Sequence, residues 1–146
     1  MEIRKMLASD YDGIYKLWTD CKGIGLNNTD DSREGIEKFL SRNPDTCFVA
    51  EEVGRITGAI MAGNDGRRAY IYHTAVHPDY RNRGTGTRLV EETLRALSAQ
   101  GIGKAALVVF GSNETGNSFW ESRGFTVRDD LVYRNKVLAS ADGGNL

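Results

Sequence analysis

The chain has 146 residues, enough for one domain with a buried core and short for two. Apolar residues make up 40% and charged residues 27%, and 17 glycines against 2 prolines indicate many turns, not a low-complexity segment. A net charge of −1 excludes a global attraction to nucleic acid or acidic membranes, and no run approaches the ~18–20 apolar residues of a membrane span.

The opening "MEIRKMLASDY" lacks the apolar stretch of a signal peptide, and residues 2–6 alternate weakly, as an edge strand does. Ser9 reads as the N-cap of a helix over 10–21. Asp10 and Asp12 suit its positive end, and Tyr11, Ile14, Tyr15, Trp18 and Cys21 recur at helical spacing. "KGIGLNNTD" is a polar, glycine-rich loop. Asp31 with Glu34 resembles a capping box, opening a second helix that buries Ile36, Phe39 and Leu40 and ends before Asn43-Pro44. Cys21 and Cys47 are the only cysteines. Without Cys-x-x-Cys or His-rich spacing they imply no zinc site, and they read as small buried hydrophobes in a reducing, cytoplasmic setting.

From Thr46 the period becomes two. "TCFVAEE" and "RITGAIMAG" read as strands joined at Val53-Gly54, and Asn64-Asp65-Gly66 turns into a third strand over about 68–76. A helix over roughly 85–100 places Leu89, Val90, Leu94 and Leu97 on one face, and "KAALVVF" reads as a buried strand. Asn113 opens a short helix ending at Gly124, with Phe125 packing just beyond. Two late strands are expected at 125–128 and 131–138, within a single domain over 1–139, and a disordered tail at 140–146. The order β-α-α-β-β-β-α-β-α-β-β describes an α/β (α+β) fold: a mixed, largely antiparallel sheet with helices on both faces.

The turn between the third strand and its helix carries the chemistry. Its pattern is Arg-x-x-Gly-x-Gly: Arg81, then Gly84 and Gly86. Glycines opening a helix let backbone N–H groups approach an anion, and the helix end adds positive partial charge. Arg81, Arg83 and Arg88 add full charges. No Gly-Lys-Ser/Thr follows, so this is no P-loop, and Leu89 stands where a dinucleotide fingerprint needs its third glycine.

The run "AVHPDYRNRGTGTRLV" resembles the acyl-CoA-binding signature of the GNAT superfamily of N-acetyltransferases, and "NETGNSFWESRGF" resembles that family's later motif, Asn-x-x-Ala-x-x-Leu-Tyr-x-x-x-Gly-Phe. The resemblance implies acetyl-CoA as co-substrate, without a metal, and a small-molecule or peptide amine as acceptor. It places Thr74, Ala75 and Val76 along the pantetheine arm, with a backbone N–H, that of Val76, polarising the thioester carbonyl. It places Arg81, Asn82, Arg83, Gly84, Thr85, Gly86 and Thr87 around the pyrophosphate, and Asn113 and Trp120 beside the pantetheine. Asn113 equally reads as a plain N-cap.

The chain departs from the family at three points. Trp120 stands where many members carry a Tyr acid, and Gly116 replaces an Ala. Where many carry a Glu early in the strand, Tyr70 stands. Tyr72 shares the face of Tyr70 and is a candidate acid, with Trp120 beside it. Alternation puts His73 on the opposite face, as a packed or capping residue, and His77 reads as exposed. Glu51 and Asp20 are candidates for a water-relayed base. Substrate choice falls to the first two helices and their loop, with Trp18, Asn27 and Asn28 facing the amine beside Asp20, Asp30 and Asp31, since acidic groups and an aromatic suit a cationic amine. The expected activity is direct acetyl transfer to a primary amine, small molecule or protein N-terminus. A CoA-binding module with weak or no catalysis is the alternative, and a nucleotide-binding regulator a third. No nucleic acid or membrane partner is expected, and a homodimer is left open.

Overall fold

The computed structural model describes residues 1–138, so the tail expected at 140–146 lies outside the described residues. The sheet comprises β1 (Glu2–Lys5), β2 (Phe48–Glu52), β3 (Arg55–Asn64), β4 (Ala69–Val76) and β5 (Ala105–Ala106), in that spatial order. The first four are antiparallel and β5 joins β4 in parallel. Helices α1 (Tyr11–Asp20) and α2 (Arg33–Arg42) connect β1 to β2; α3 (Thr85–Ala99) connects β4 to β5, and α4 (Glu114–Ser122) follows.

Alternation along the strands sorts the core into two layers. Val49, Ala59 and Met61 meet Ile14, Leu17, Trp18, Ile36 and Leu40 from α1 and α2. Phe48, Ala50, Ile60, Ala62 and Ile71 meet Leu89, Val90 and Leu97 from α3, with Trp120 of α4. Each large apolar side chain so buried contributes roughly 1.5–3 kcal/mol.

One irregularity decides the site. Tyr70, Ile71 and Tyr72 pair with Gly63, Ala62 and Met61, but Ala75 then pairs with Ala59, so β4 carries one extra residue. His73 has φ +31, inside this bulge. Ile71 lies in the α3 core layer and Ala75 in the α1–α2 layer, four residues apart, so alternation reverses across it. β5 stops pairing at Tyr70↔Ala106, just before the bulge. Beyond that point β4 and the chain at 107–110 part.

Several expectations are corrected. The first helix starts from a 3-10 turn at Ala8–Asp10, not from a Ser9 cap; the Asp10 carboxylate accepts from the Leu7 amide at 2.8 Å and from Arg4 through two bonds. Ser32, not Asp31, caps α2, its Oγ accepting from the Gly35 amide at 3.0 Å. Strand β5 covers two residues of the expected "KAALVVF", and 125–128 and 131–138 form no strand. Their alternation has no sheet edge of useful length to pair with, since β5 is so short, and Val127, Val132, Val137 and Leu138 remain exposed. The α4 ending is as expected: Gly124 has φ +90, and the Phe125 ring packs 5.0 Å from that of Trp120.

Candidate active site

The parting of β4 from the chain after β5 opens a cleft of about 570 Å3. Tyr72 to Val76 line one wall, Leu107 to Phe110 the other, and the start of α3 closes one end. In an antiparallel ladder, hydrogen-bonded and non-hydrogen-bonded pairs alternate. The His77 amide donates to Thr57 carbonyl at 2.8 Å, so the neighbouring pair Val76↔Gly58 is a non-bonded one. Val76 therefore turns its N–H and C=O away from β3, towards the cleft. Its carbonyl already accepts from Arg81 Nε at 2.9 Å and from Cys21 Sγ at 3.6 Å. The N–H is the group left to a ligand.

At the α3 end, Gly84 is the N-cap with φ +80, a left-handed conformation that favours glycine. The amides of Thr85, Gly86 and Thr87 find no acceptor among the described residues. Arg81, Asn82, Arg83 and Gly84 are exposed around them. Arg83 lies over the Tyr80 ring at 5.1 Å. Thr85 is buried, with its hydroxyl donated to Met1 Sδ at 3.1 Å, so only its amide faces outward. Asn113 caps α4: its Oδ1 accepts from the Gly116 amide at 2.9 Å, leaving Nδ2 at the cleft.

Two side chains in the cleft carry no sequence signal for it. Phe119 approaches Gly86, where an added Cβ would lie 3.3 Å from its ring. Cys21 ends α1 beside Arg81; burial pushes its thiol up, against the pull of the guanidinium. It stays a thiol at neutral pH and is no activated nucleophile.

The expected acids and bases separate. Tyr72 is 42% exposed and lines the cleft, its ring 4.8 Å from Tyr70 and 5.6 Å from Phe39. Burial, with Tyr133 nearby, pushes the Tyr70 phenol up to about 12, and burial with Asp30 and Tyr133 also raises Tyr72. Both keep their protons at neutral pH. Trp120 is 9% exposed, wedged edge-on between Phe119 and Phe125, and forms cleft wall and core at once. His77 is buried, not exposed: Arg55, Asp20 and the Asp79 amide surround its ring. Asp20 and Glu51 line a separate groove with His77, away from the cleft.

The substrate residues are corrected too. Trp18 is 1% exposed and belongs to the core, so it cannot face a substrate. Asn27 folds its own loop, its Oδ1 accepting from the Thr29 and Asp30 amides, and neither Asn27 nor Asn28 lines the cleft. His73 is the converse. The bulge turns it to the same side as Tyr72, where it lines the cleft, meets the Trp18 ring edge-on at 5.0 Å, and bonds Asp31.

Residues 11–125 match the model of the acetyltransferase (GNAT) family. The chain belongs to the GNAT family of acetyltransferases. An acetyltransferase of Sodalis glossinidius is 36% identical over 138 residues, covering 94% of this chain and 96% of its own. Among solved structures, the PaiA N-acetyltransferase of Thermoplasma acidophilum, in complex with coenzyme A, superposes with TM-score 0.77 at 21% identity, over 88% of this chain and 91% of its own. AAC(6')-Iy, in complex with the bisubstrate analogue CoA-S-monomethyl-acetylneamine, gives TM-score 0.72 at 19% identity, over 93% and 97%. As a GNAT enzyme the chain shares their mixed α/β fold. Among the described residues no helix is long and apolar enough to cross a membrane, and no group of three or more His, Cys, Asp or Glu is placed to hold a metal ion.

Proposed function

We propose that residues 1–139 form one domain that transfers an acetyl group from acetyl-CoA to a primary amine, of a small molecule or a protein N-terminus, by direct attack. The observation that carries this is the parted β4, with Val76 N–H turned into a cleft that ends on the free amides of α3. Acetyl-CoA supplies the activated acyl group. The amides of Thr85, Gly86 and Thr87, with Arg81, Asn82, Arg83 and Gly84, hold its pyrophosphate. Thr74, Ala75 and Val76 offer backbone partners to the pantetheine, and Asn113 Nδ2 donates from the other wall. The Val76 N–H stabilises the oxyanion that develops on the thioester carbonyl. A protonated Cys21 favours direct attack over an acyl-enzyme. Tyr72, which lines the cleft and whose phenol is held protonated, donates to the leaving thiolate. The neighbour solved with an acetylneamine analogue and those named N-acetyltransferases support an amine acceptor. A cytoplasmic setting accords with two unpaired, buried thiols.

The test pairs binding with turnover. Coenzyme A at a hundred times its dissociation constant stabilises the fold by ~2.7 kcal/mol, so Tm rises clearly. Acetyl-CoA is then consumed with at least one member of a broad amine panel. No Tm shift removes the cofactor site. A Tm shift without turnover leaves the binding-module reading.

A further inference from the structure

We infer that His73, held by Asp31, is the general base that deprotonates the incoming amine; this rests on the acetyl-transfer reading above. His73 Nε2 lies 2.8 Å from Asp31 Oδ1, with both side chains largely buried, at 14% and 6% exposure. Asp31 is fixed from behind: its carboxylate Oδ2 accepts from the Asn27 amide at 2.9 Å, and its backbone carbonyl accepts from the Tyr11 hydroxyl at 2.6 Å. A carboxylate can only accept, so a neutral His73 carries its proton on Nε2 and leaves the Nδ1 lone pair free. Nδ1 has no hydrogen-bond partner among the described residues, and the ring lines the cleft.

The fold is arranged to produce this pair. Regular alternation would send His73 to the α3 core. The bulge, with His73 at φ +31, turns it to the α1–α2 side, and a non-glycine residue held there is strained. Ser32 takes over the α2 cap, which frees Asp31 to point inward. His73 stands three residues from Val76, and both line the cleft. The amine sits between Nδ1 and the carbonyl carbon, in direct contact or through one water. The titratable groups around it are Asp31 and Asp30 on the α1–α2 loop, Cys21 and Lys22 at the end of α1, Tyr11 on α1, and Tyr72 on β4.

Nδ1 takes one proton from R–NH3+. The freed nitrogen lone pair forms the C–N bond, and the C–S bond breaks with its electron pair on sulfur. Tyr72 gives its phenol proton to the thiolate and regains one from the second N–H, directly or through water, and the imidazolium returns its proton to solvent. Asp31 is a positioning residue: it fixes tautomer and ring, as in Asp–His pairs of hydrolases.

The test uses His73→Asn, since Asn tolerates positive φ, and Asp31→Asn. Coenzyme A should raise the Tm of both variants as it does the parent's. His73→Asn should lower kcat/KM about 100-fold or more for alkylamines, the range of a lost general base. The loss should shrink for a weakly basic amine that is already neutral. In His73→Asn the bend that ends the parent's acid limb should be lost, and kcat/KM should keep rising with pH towards the pKa of the amine, because only the neutral amine then reacts. Independently of activity, imidazole 15N shifts in the free protein should show His73 as the Nε2–H tautomer, and Asp31→Asn should change that signature. Parent-like kcat/KM and pH profile in His73→Asn overturn the base while leaving acetyl transfer standing. No turnover by the parent with any amine overturns the acetyl-transfer reading and the base with it. Should His73→Asn not fold, an Nδ1–H tautomer in the parent, or full activity in Asp31→Asn, overturns the pair.

Discussion

Asn113 and Gly116 are fitted to one another: a Cβ at Gly116 would lie 2.6 Å from Asn113 Nδ2 and 2.9 Å from its Cγ. The glycine that departs from the family's alanine therefore makes room for the amide that caps α4. Gly116→Ala must displace Asn113. A lost cap costs about 1 kcal/mol, visible as a lower Tm, and coenzyme A should bind more weakly because Nδ2 moves as well. Asn113→Ser separates the two roles. Serine still caps, so Tm should stay near the parent's while coenzyme A affinity falls. Parent-like affinity in Asn113→Ser would restrict Asn113 to capping.

Gly86 faces Phe119 across the cleft, with an added Cβ 3.3 Å from the ring and 3.6 Å from Val76 Cγ2. Gly86→Val should reduce coenzyme A affinity severely while keeping most of the helical circular dichroism. Two causes are available, a blocked phosphate site and a pushed ring, and a second substitution resolves them. In Gly86→Val with Phe119→Leu, affinity should remain low if the branched side chain itself excludes the pyrophosphate. Full recovery in the double variant would mean that Phe119, displaced, had done the blocking.

Away from the cleft, Asp10 ties the start of α1 to β1. Burial alone would push its carboxyl up, but the Arg4 hydrogen bonds and the Leu7 amide more than reverse this, so it titrates below its ordinary value. A carboxyl with a depressed folded pKa contributes stability above its unfolded value, ~3.9, and loses it as pH falls through the folded value. Asp10→Asn should therefore lower Tm at pH 7. The gap to the parent should narrow below about pH 4. A gap constant down to pH 2 would show that the charge contributes nothing.

These residues also show what the sequence made legible. The hairpins, the α3 face and the glycine turn are local: period, turn chemistry and helix-end physics act within a few residues, and the structure places them where they were read. The bulge is not local. No glycine marks His73, and its positive φ is imposed by the Asp31 bond and the slipped register with β3. Alternation, applied across it, put His73 on the wrong face. Trp18 failed for a related reason: an aromatic next to an acidic loop fits a substrate wall in sequence, but helical spacing with Ile14 and Leu17 makes it core. The strands expected at 125–128 and 131–138 have the pattern without the partner, and a period of two is realised only where an edge is free to pair.

The last expectation concerns Trp120, where the chain departs from the family's Tyr. An indole N–H cannot serve as an acid at neutral pH, so any part it takes in turnover is as a wall. Its surroundings agree: the ring is 9% exposed and packs edge-on at 5.1 Å and 5.0 Å against Phe119 and Phe125. Trp120→Phe keeps most of that contact and should retain kcat within a few-fold, with an unchanged pH–rate profile. Trp120→Ala removes it and should cost roughly 3–5 kcal/mol of stability, the range for deleting a buried large aromatic. Trp120→Tyr restores the family's residue, but sets a hydroxyl among aromatic rings. It should not raise kcat, because Tyr72 already offers a protonated phenol to the cleft. Tyr72→Phe should then be the more damaging substitution, lowering kcat with little change in coenzyme A affinity. A marked rise in kcat for Trp120→Tyr, with a new alkaline limb, would show instead that the site lacks an acid at position 120 and that Tyr72 does not supply one.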